Sequence, residues 1–108
     1  MNLSEELSEQ FKFGDIIEYS PGSVVSKTII KKPSGTITMF SFDKGEGLSE
    51  HKAPFDALVQ IIEGEAEIIL DGKINKVNAG SAIILPADIP HALKANEKFK
   101  MLLTMIRN

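Results

Sequence analysis

Two histidines, His51 and His91, are the side chains of this chain best suited to chemistry near neutral pH. A neutral imidazole can bind a metal ion or exchange a proton, and both uses require neighbours that the fold must supply. The sequence contains no cysteine, so disulfides and thiolate nucleophiles are excluded, and a sulfur-ligated metal site is not expected. No glycine-rich phosphate loop or nucleophile elbow is present.

The length and composition of the chain are those of one ordinary globular domain. With 108 residues, 43% hydrophobic and 25% charged, the chain can bury one core but not two. A net charge of -3 gives no general attraction to nucleic acid or to anionic lipid. No segment approaches the roughly 20 apolar residues of a membrane span, and the acidic N-terminus lacks a signal-length apolar run. We therefore expect a cytoplasmic protein with neither nucleic acid nor membrane as a partner.

The elements that must position the histidines have the pattern of strands. From Phe13 onward, short runs rich in β-branched residues alternate with turn signals, and we count eight or nine strands, the first at residues 16–19. The clearest hairpin spans residues 65–77, where Asp71-Gly72 predicts a type I′ turn. Apolar residues at steps of four in residues 1–12 predict a short N-terminal arm or helical turn. Residues 13–108 should then form one all-β sandwich or barrel.

Two segments framed by glycines, 45–64 and 80–96, resemble the two cupin motifs. The matching residues are Gly45, His51, Gly64, Gly80, Pro86 and His91. Asp88 stands where the second motif has a glycine, and Ala95 stands where it has an asparagine. The resemblance implies a small cupin-type jelly-roll β-barrel that commonly forms homodimers.

The resemblance also implies where a metal would bind, and half of that ligand set is absent. The four ligand positions carry His51, Ala53, Ala57 and His91 in this sequence. Two neutral histidines alone would hold a divalent ion such as Fe, Mn, Ni or Zn only weakly. Asp56 is the nearest further candidate, because a bulge after Pro54 could turn it inward.

Strand alternation predicts a pocket around the two histidines, since residues two apart share a face. The expected pocket residues are His51, Ala53, Ala57, Val59, Ile61, His91, Leu93 and Met101. The two alanines would leave space beside the imidazoles for a small organic ligand. The alternative is that Phe40, Phe55, Met101 or Met105 fills that space.

Three functions remain open from the sequence. The first is binding of a small molecule in the barrel interior beside a degenerate metal site. The second is a metal-dependent enzyme of the dioxygenase or isomerase type that uses the two histidines and a carboxylate. The third is a non-catalytic interaction module that works through its dimer surface and its N-terminal arm. The last strand, residues 99–106, is apolar on both faces, which predicts cover from a second subunit.

Overall fold

The computed structural model describes residues 7–107 and builds them into nine antiparallel strands. The strands are β1 (Val24–Lys32), β2 (Gly35–Phe42), β3 (Gly47–His51), β4 (Asp56–Glu63), β5 (Glu65–Leu70), β6 (Lys73–Asn78), β7 (Ala82–Leu85), β8 (His91–Lys94) and β9 (Phe99–Ile106). The helical structure in the described part of the chain is a 3-10 turn at Phe13–Asp15, and no helix there could cross a membrane. The prediction of an all-β fold is confirmed.

The strands form two sheets. The larger has the order β1-β2-β9-β4-β7, and the smaller has the order β3-β8-β5-β6. β4 and β9 therefore run through the middle of the larger sheet, and β8 lies between β3 and β5. This order makes β3 and β8 neighbours, although their histidines are 40 residues apart in the chain.

Side chains from both sheets share one interior core. Its buried members are Phe42, Val59, Ile61, Ala66, Ile68, Val77, Leu85, Leu93, Ala95, Phe99 and Met101. The rings of Phe42 and Phe99 stack with centroids 4.5 Å apart. Alternation along β9 places Phe99 and Met101 in this core, while Leu102 faces the other side of the sheet.

The N-terminal segment covers part of the outer face of the larger sheet. Leu102 there belongs to a second buried cluster with Ile17, against which Leu7 and Phe13 pack. Two side chains of the sheet hold the segment in place. The Ser41 hydroxyl donates to the Glu18 carbonyl at 2.8 Å, and Lys100 Nζ donates to the Gly14 carbonyl at 2.7 Å.

This segment differs from the sequence-based expectation in two ways. Residues 16–19, expected as a strand, form none: the Ile16 N–H donates to the Phe13 carbonyl, and the Glu18 carbonyl accepts from the Ser41 side chain rather than from a neighbouring strand. Of the arm predicted at residues 1–12, residues 1–6 lie outside the described chain, and residues 7–12 contain no helix. Within residues 7–107, the helical turn begins at Phe13.

A polar cluster joins the end of this segment to the sheet. The Tyr19 hydroxyl donates to the Glu63 carboxylate, and Lys100 Nζ lies 3.9 Å from that carboxylate and 5.0 Å from the Tyr19 ring centroid. Burial raises the pKa of the Tyr19 phenol, and the hydrogen bond to Glu63 and the charge of Glu63 raise it further. The phenol therefore stays protonated and continues to donate to Glu63 over the ordinary pH range.

Two turns show how local sequence directs the chain. Asp71 and Gly72 both have positive φ, at 50° and 79°, so the predicted type I′ turn of the β5–β6 hairpin is confirmed. Gly64 alone connects β4 of the larger sheet to β5 of the smaller one, with φ 79°. A Cβ at this corner would lie 2.5 Å from the Lys98 carbonyl oxygen. Only glycine fits there without movement of the backbone.

Candidate functional site

The two histidines meet where β3 ends and β8 begins. His51 and His91 are cross-strand partners, and an irregularity in the pairing between Leu48 and His51 precedes the contact. Their ring centroids lie 4.4 Å apart with the planes at 68°, and the two Nε2 atoms are 3.2 Å apart. The fold thus brings together the pair that the sequence singled out.

Backbone carbonyls orient both rings. His51 Nδ1 lies 2.8 Å from the Ser49 carbonyl oxygen, and His91 Nδ1 lies 3.1 Å from that of Ile89. A carbonyl oxygen can only accept, so each contact is a hydrogen bond when Nδ1 carries the hydrogen. In the neutral form of that tautomer Nε2 is a bare acceptor, whereas a hydrogen on either Nε2 makes the 3.2 Å contact a hydrogen bond between the two rings.

Burial keeps His91 in the neutral form that this arrangement requires. His91 is only 7% exposed. Burial lowers the pKa of its imidazole, and the nearby His51 lowers it further, while the hydrogen bond to the Ile89 carbonyl acts in the opposite direction. At neutral pH, His91 Nε2 is therefore available to accept a hydrogen bond or to bind a cation.

The histidines form the polar part of an apolar cavity of about 80 Å³ between the sheets. The cavity is lined by Leu48, His51, Ala53, Phe55, Ala57, Val59, Leu85, His91, Leu93, Met101, Leu103 and Met105. Such a volume holds a few water molecules or a very small ligand. It is well below the roughly 300–1,000 Å³ of pockets that take drug-sized molecules.

All the residues predicted for the pocket line this cavity except one. Ile61 is 1% exposed and belongs to the interior core, away from the cavity wall. Of the side chains considered as fillers, Phe55, Met101 and Met105 form walls without closing the space, and Phe40 is not part of the lining. Leu48, Leu85 and Leu103 also line the cavity and were not predicted from the sequence. The two-residue step along β9 from Met101 would have identified Leu103.

Asp56 is not brought to the histidines. Its Oδ1 accepts a hydrogen bond from the Ala87 backbone N–H at 2.9 Å, and its side chain borders a depression on the outer face of the larger sheet. Within residues 7–107, no group of three or more His, Cys, Asp or Glu side chains could hold a metal ion. Asp56 instead ties the start of β4 to the loop after β7.

The two positions that depart from the cupin motifs both make backbone hydrogen bonds between the two motif segments. Asp88 has φ 64°, a left-handed conformation that favours glycine but that aspartate tolerates, and its N–H donates to the Ala53 carbonyl at 2.8 Å. Ala95 is fully buried, and its backbone exchanges hydrogen bonds with Gly45 and Glu46 at 2.7 and 2.8 Å. The Asp88 bond joins the two segments near His51, and the Ala95 bonds join them at the opposite end of the β3–β8 pair.

Comparison with known proteins gives the same family as these features. A model of the cupin domain matches residues 38–107. A conserved protein of unknown function from Streptococcus pyogenes is 36% identical, with a TM-score of 0.89 over 94% of this chain and 89% of that one. A cupin superfamily protein from Desulfitobacterium hafniense is 28% identical, also with a TM-score of 0.89, over 94% and 93% of the two chains.

Two further relatives are longer than this chain. A cupin 2 conserved barrel domain protein from Leptotrichia buccalis is 46% identical, with a TM-score of 0.84 over 87% of this chain and 46% of that one. A curated relative is polyketide synthase CurC of Streptomyces cyaneus, 26% identical over 73 residues. The matched region is 67% of this chain but only 47% of that protein, so the chain spans about half the length of the curated relative. The chain belongs to the cupin-domain family.

Proposed function

We propose that this cupin protein binds a very small molecule at the histidine end of its barrel, where His51 and His91 recognise a hydrogen-bond donor of the ligand. One observation carries the proposal. Both Nδ1 atoms face carbonyl oxygens, which leaves two Nε2 acceptors 3.2 Å apart at an apolar cavity. A ligand O–H or N–H directed at this pair from the cavity supplies the hydrogen that two bare Nε2 atoms lack.

The cavity also limits the size and affinity of the ligand. A volume of about 80 Å³ admits only a few non-hydrogen atoms unless side chains move. The best small ligands gain about 1.5 kcal/mol per non-hydrogen atom, so a ligand of about five atoms gains at most ~7 kcal/mol. Such a ligand binds with a dissociation constant of roughly 10 μM or weaker. The apolar walls favour a hydrocarbon body with one polar group.

A pair of solvent probes of equal size tests this recognition. Isopropanol and acetone have the same carbon skeleton, but only isopropanol donates a hydrogen bond. We expect isopropanol to shift the NMR signals of the cavity residues and of both imidazoles in the ¹⁵N-labelled protein. Acetone should cause much smaller shifts, because its carbonyl meets two further acceptors.

Two matched variants locate the binding. Ala57→Leu fills the cavity and should abolish the isopropanol shifts. Ala82→Leu adds the same atoms at an exposed position of β7 and should leave them unchanged. Equal responses to acetone and isopropanol, or isopropanol binding that survives in Ala57→Leu, would contradict the proposal.

The residues fit the metal-dependent enzyme less well. A catalytic zinc centre usually has three protein ligands, and a non-haem iron centre has two histidines and a carboxylate. The cavity offers the two histidines, and Asp56 is held elsewhere by Ala87. Alanine occupies both remaining ligand positions implied by the cupin motifs. No reaction step through such a centre follows from this arrangement.

We further propose that two copies of the chain associate through the uncovered part of the outer sheet face. Leu58, Ile84, Thr104 and Ile106 border an apolar depression beside the edge strand β7. Ile84 is 59% exposed and Ile106 is 65% exposed, whereas Met39 and Leu102 on the same face are buried under the N-terminal segment. Burial of this patch in a homodimer would remove it from water.

Sedimentation equilibrium tests the homodimer directly. The double variant Ile84→Lys and Ile106→Lys should sediment as a monomer, because burial of two unpaired ammonium groups is costly. Ile74→Lys is the matched control, since Ile74 is 60% exposed on the smaller sheet. It should stay dimeric. A monomeric parent protein would overturn the proposal, and would also remove the main support for the interaction module. The cytoplasmic location stays a prediction from the sequence.

A further inference from the structure

We propose that a groove on the outer face of the larger sheet binds the free anion of a medium-chain fatty acid. The groove lies between the N-terminal segment and strands β1 and β2, and its volume is about 180 Å³. It shares no lining residue with the histidine cavity, so it is a second and separate site. The residues that line it are Leu7, Phe11, Phe13, Ile29, Ile30 and Ile37.

The walls of the groove suit a hydrocarbon chain, because every side chain that lines it is apolar. Phe11 and Phe13 meet edge to face with ring centroids 5.3 Å apart, and Ile30 and Ile37 are cross-strand partners in the sheet below. Phe11 is 36% exposed, so the groove opens to solvent beside this ring. An apolar cavity of about 150 Å³ is large enough to bind benzene, which has six carbons. The groove therefore accepts a hydrocarbon segment of about that size.

An irregularity in β1 gives the groove an additional apolar wall. The pairing of β1 with β2 shifts between Thr28 and Ile30, which leaves Ile29 without a cross-strand partner. Regular alternation would place Ile29 and Ile30 on opposite faces of the sheet. Both line the groove, because the extra residue at a bulge changes the direction of the side chains beside it.

Lysines beside the groove favour an anionic head group. The register of β1 places Lys27 and Lys32 on the same face as Ile30, one on each side of it along the strand. Lys12 lies between the two phenylalanines of the N-terminal segment, where Glu9 is the nearest carboxylate in the sequence. All three lysines are exposed, and none forms an ion pair in the described part of the chain. The carboxylate of a bound fatty acid would therefore lie in a region of positive charge.

Charge also separates this groove from the other apolar depression on the same face. That depression, beside Ile84 and Ile106, is bordered by the carboxylate of Asp56. A fatty acid anion bound there would meet a charge of its own sign. The combination of apolar walls and nearby lysines is found at the groove under the N-terminal segment.

Titration of the ¹⁵N-labelled full chain with sodium octanoate tests the groove. We expect saturable NMR shifts centred on residues 7–13, 29–30 and 37. Hexanoate is two methylenes shorter and should bind about tenfold more weakly, because each buried methylene contributes about fourfold to the affinity.

The salt dependence of binding tests the role of the lysines. An increase in NaCl from about 0.02 M to about 0.5 M should weaken octanoate binding by about threefold or more, since exposed charges are screened. Octan-1-ol has the same chain length and no charge, so it controls for the effect of salt on the hydrocarbon. Its binding should not weaken.

Two phenylalanines locate the hydrocarbon chain. Phe11→Ala removes part of the groove wall and should weaken octanoate binding by about fivefold or more. Phe55→Ala makes the same change at the histidine cavity and should leave octanoate binding unchanged.

Two pairs of lysines locate the carboxylate. The double variant Lys27→Gln and Lys32→Gln should lower the affinity for octanoate by about threefold and remove most of its salt dependence. Lys73→Gln with Lys76→Gln removes the same charge from exposed positions of β6 in the smaller sheet and should have no effect. Melting curves of all variants confirm that they fold.

Three results would overturn the inference: no saturable shift with octanoate, shifts centred on the histidines or on Ile84 and Ile106, or octanoate binding with the same salt dependence as octan-1-ol. The small-molecule proposal fails on different grounds. Ala57→Leu fills the histidine cavity and should leave octanoate binding intact, so either proposal can be rejected while the other stands.

Discussion

The two ends of the barrel interior differ in how they are filled. At the closed end, Phe42 and Phe99 stack at 4.5 Å, and Ala66 and Ile68 are fully buried among them. At the open end, Ala57 faces the histidine pair across a cavity. The same two central strands, β4 and β9, serve both ends. The fold therefore combines a close-packed core with a space that can receive a ligand.

Side-chain size along β4 and β9 accounts for this difference. From the closed end to the open end, the interior residues of β4 are Ile61, Val59 and Ala57. In the same direction, the interior residues of β9 include Phe99, Met101 and Met105. The larger or stiffer groups lie at the closed end. Protein interiors are normally packed to crystal-like density, and the closed end supplies the stability that a cavity elsewhere lowers.

The largest expected effect comes from a large-to-small change at the closed end. Phe99→Ala should lower the free energy of unfolding by about 3–5 kcal/mol, because it removes a fully buried ring and leaves a cavity. Phe55→Ala at the open end should cost less than half as much, since that residue is only partly buried and already borders a cavity. Urea unfolding of both variants measures the difference. Equal losses would show that the two ends carry similar packing.

Two residues with a left-handed backbone conformation, Gly64 and Asp88, allow the backbone of the two ends to be compared. Gly64→Ala, beside Phe99 at the closed end, should cost about 3 kcal/mol, because the new Cβ combines a positive φ with a clash against Lys98. At the open end, Asp88 already bears a side chain at φ 64°, so Asp88→Gly should change stability by about 1 kcal/mol or less. Thermal melting of both variants tests this order, and a larger loss from Asp88→Gly would reverse it.

Added volume should have opposite consequences at the two ends. Ala66→Leu should destabilise the closed end by roughly 1–3 kcal/mol, because Ala66 has no exposed surface and belongs to the buried core. Ala57→Leu should cost less than about 1 kcal/mol, since its side chain enters the cavity. Chemical denaturation of the two variants measures the contrast. A greater cost for Ala57→Leu would mean that the cavity is smaller than the structure shows.

The smallest expected effect concerns neither end of the interior but the hydrogen bond between Tyr19 and Glu63. The folded protein raises the pKa of this phenol above its ordinary value of 10.0. The unfolded chain releases this proton first, so the contribution of Tyr19 is complete below pH 10 and declines as the pH rises further. Tyr19→Phe should therefore show a weaker loss of stability above pH 10 than the parent protein. Identical alkaline unfolding profiles of the variant and the parent protein would exclude a contribution of this hydrogen bond to stability.

The sequence predicted those parts of the fold that local chemistry determines. The Asp71-Gly72 turn follows from residues that tolerate positive φ, and strand alternation placed Ala57 and Val59 on the cavity face. Other features depend on distant partners. Residues 16–19 look like a strand until Ser41 and Lys100 of the sheet are known to bind this region of the chain. No local pattern reports such contacts.

The candidate site was likewise predictable from the sequence only in part. The motif spacing predicted that His51 and His91 would meet, but the direction of their Nε2 atoms depends on the carbonyls of Ser49 and Ile89. Asp56 was a reasonable third ligand by position alone, and the N–H of Ala87, contributed by a distant loop, directs it elsewhere. The size of the cavity depends on all its walls together.

The protonation of the two imidazoles tests the central claim most directly. Long-range ¹H–¹⁵N correlation spectra of the metal-free protein, recorded above neutral pH, distinguish protonated from bare ring nitrogens. We expect both His51 and His91 to carry hydrogen on Nδ1 and to have bare Nε2 atoms, in agreement with their carbonyl partners. A hydrogen on Nε2 of either ring would join the two histidines by an ordinary hydrogen bond, and the convergent acceptor site would not exist.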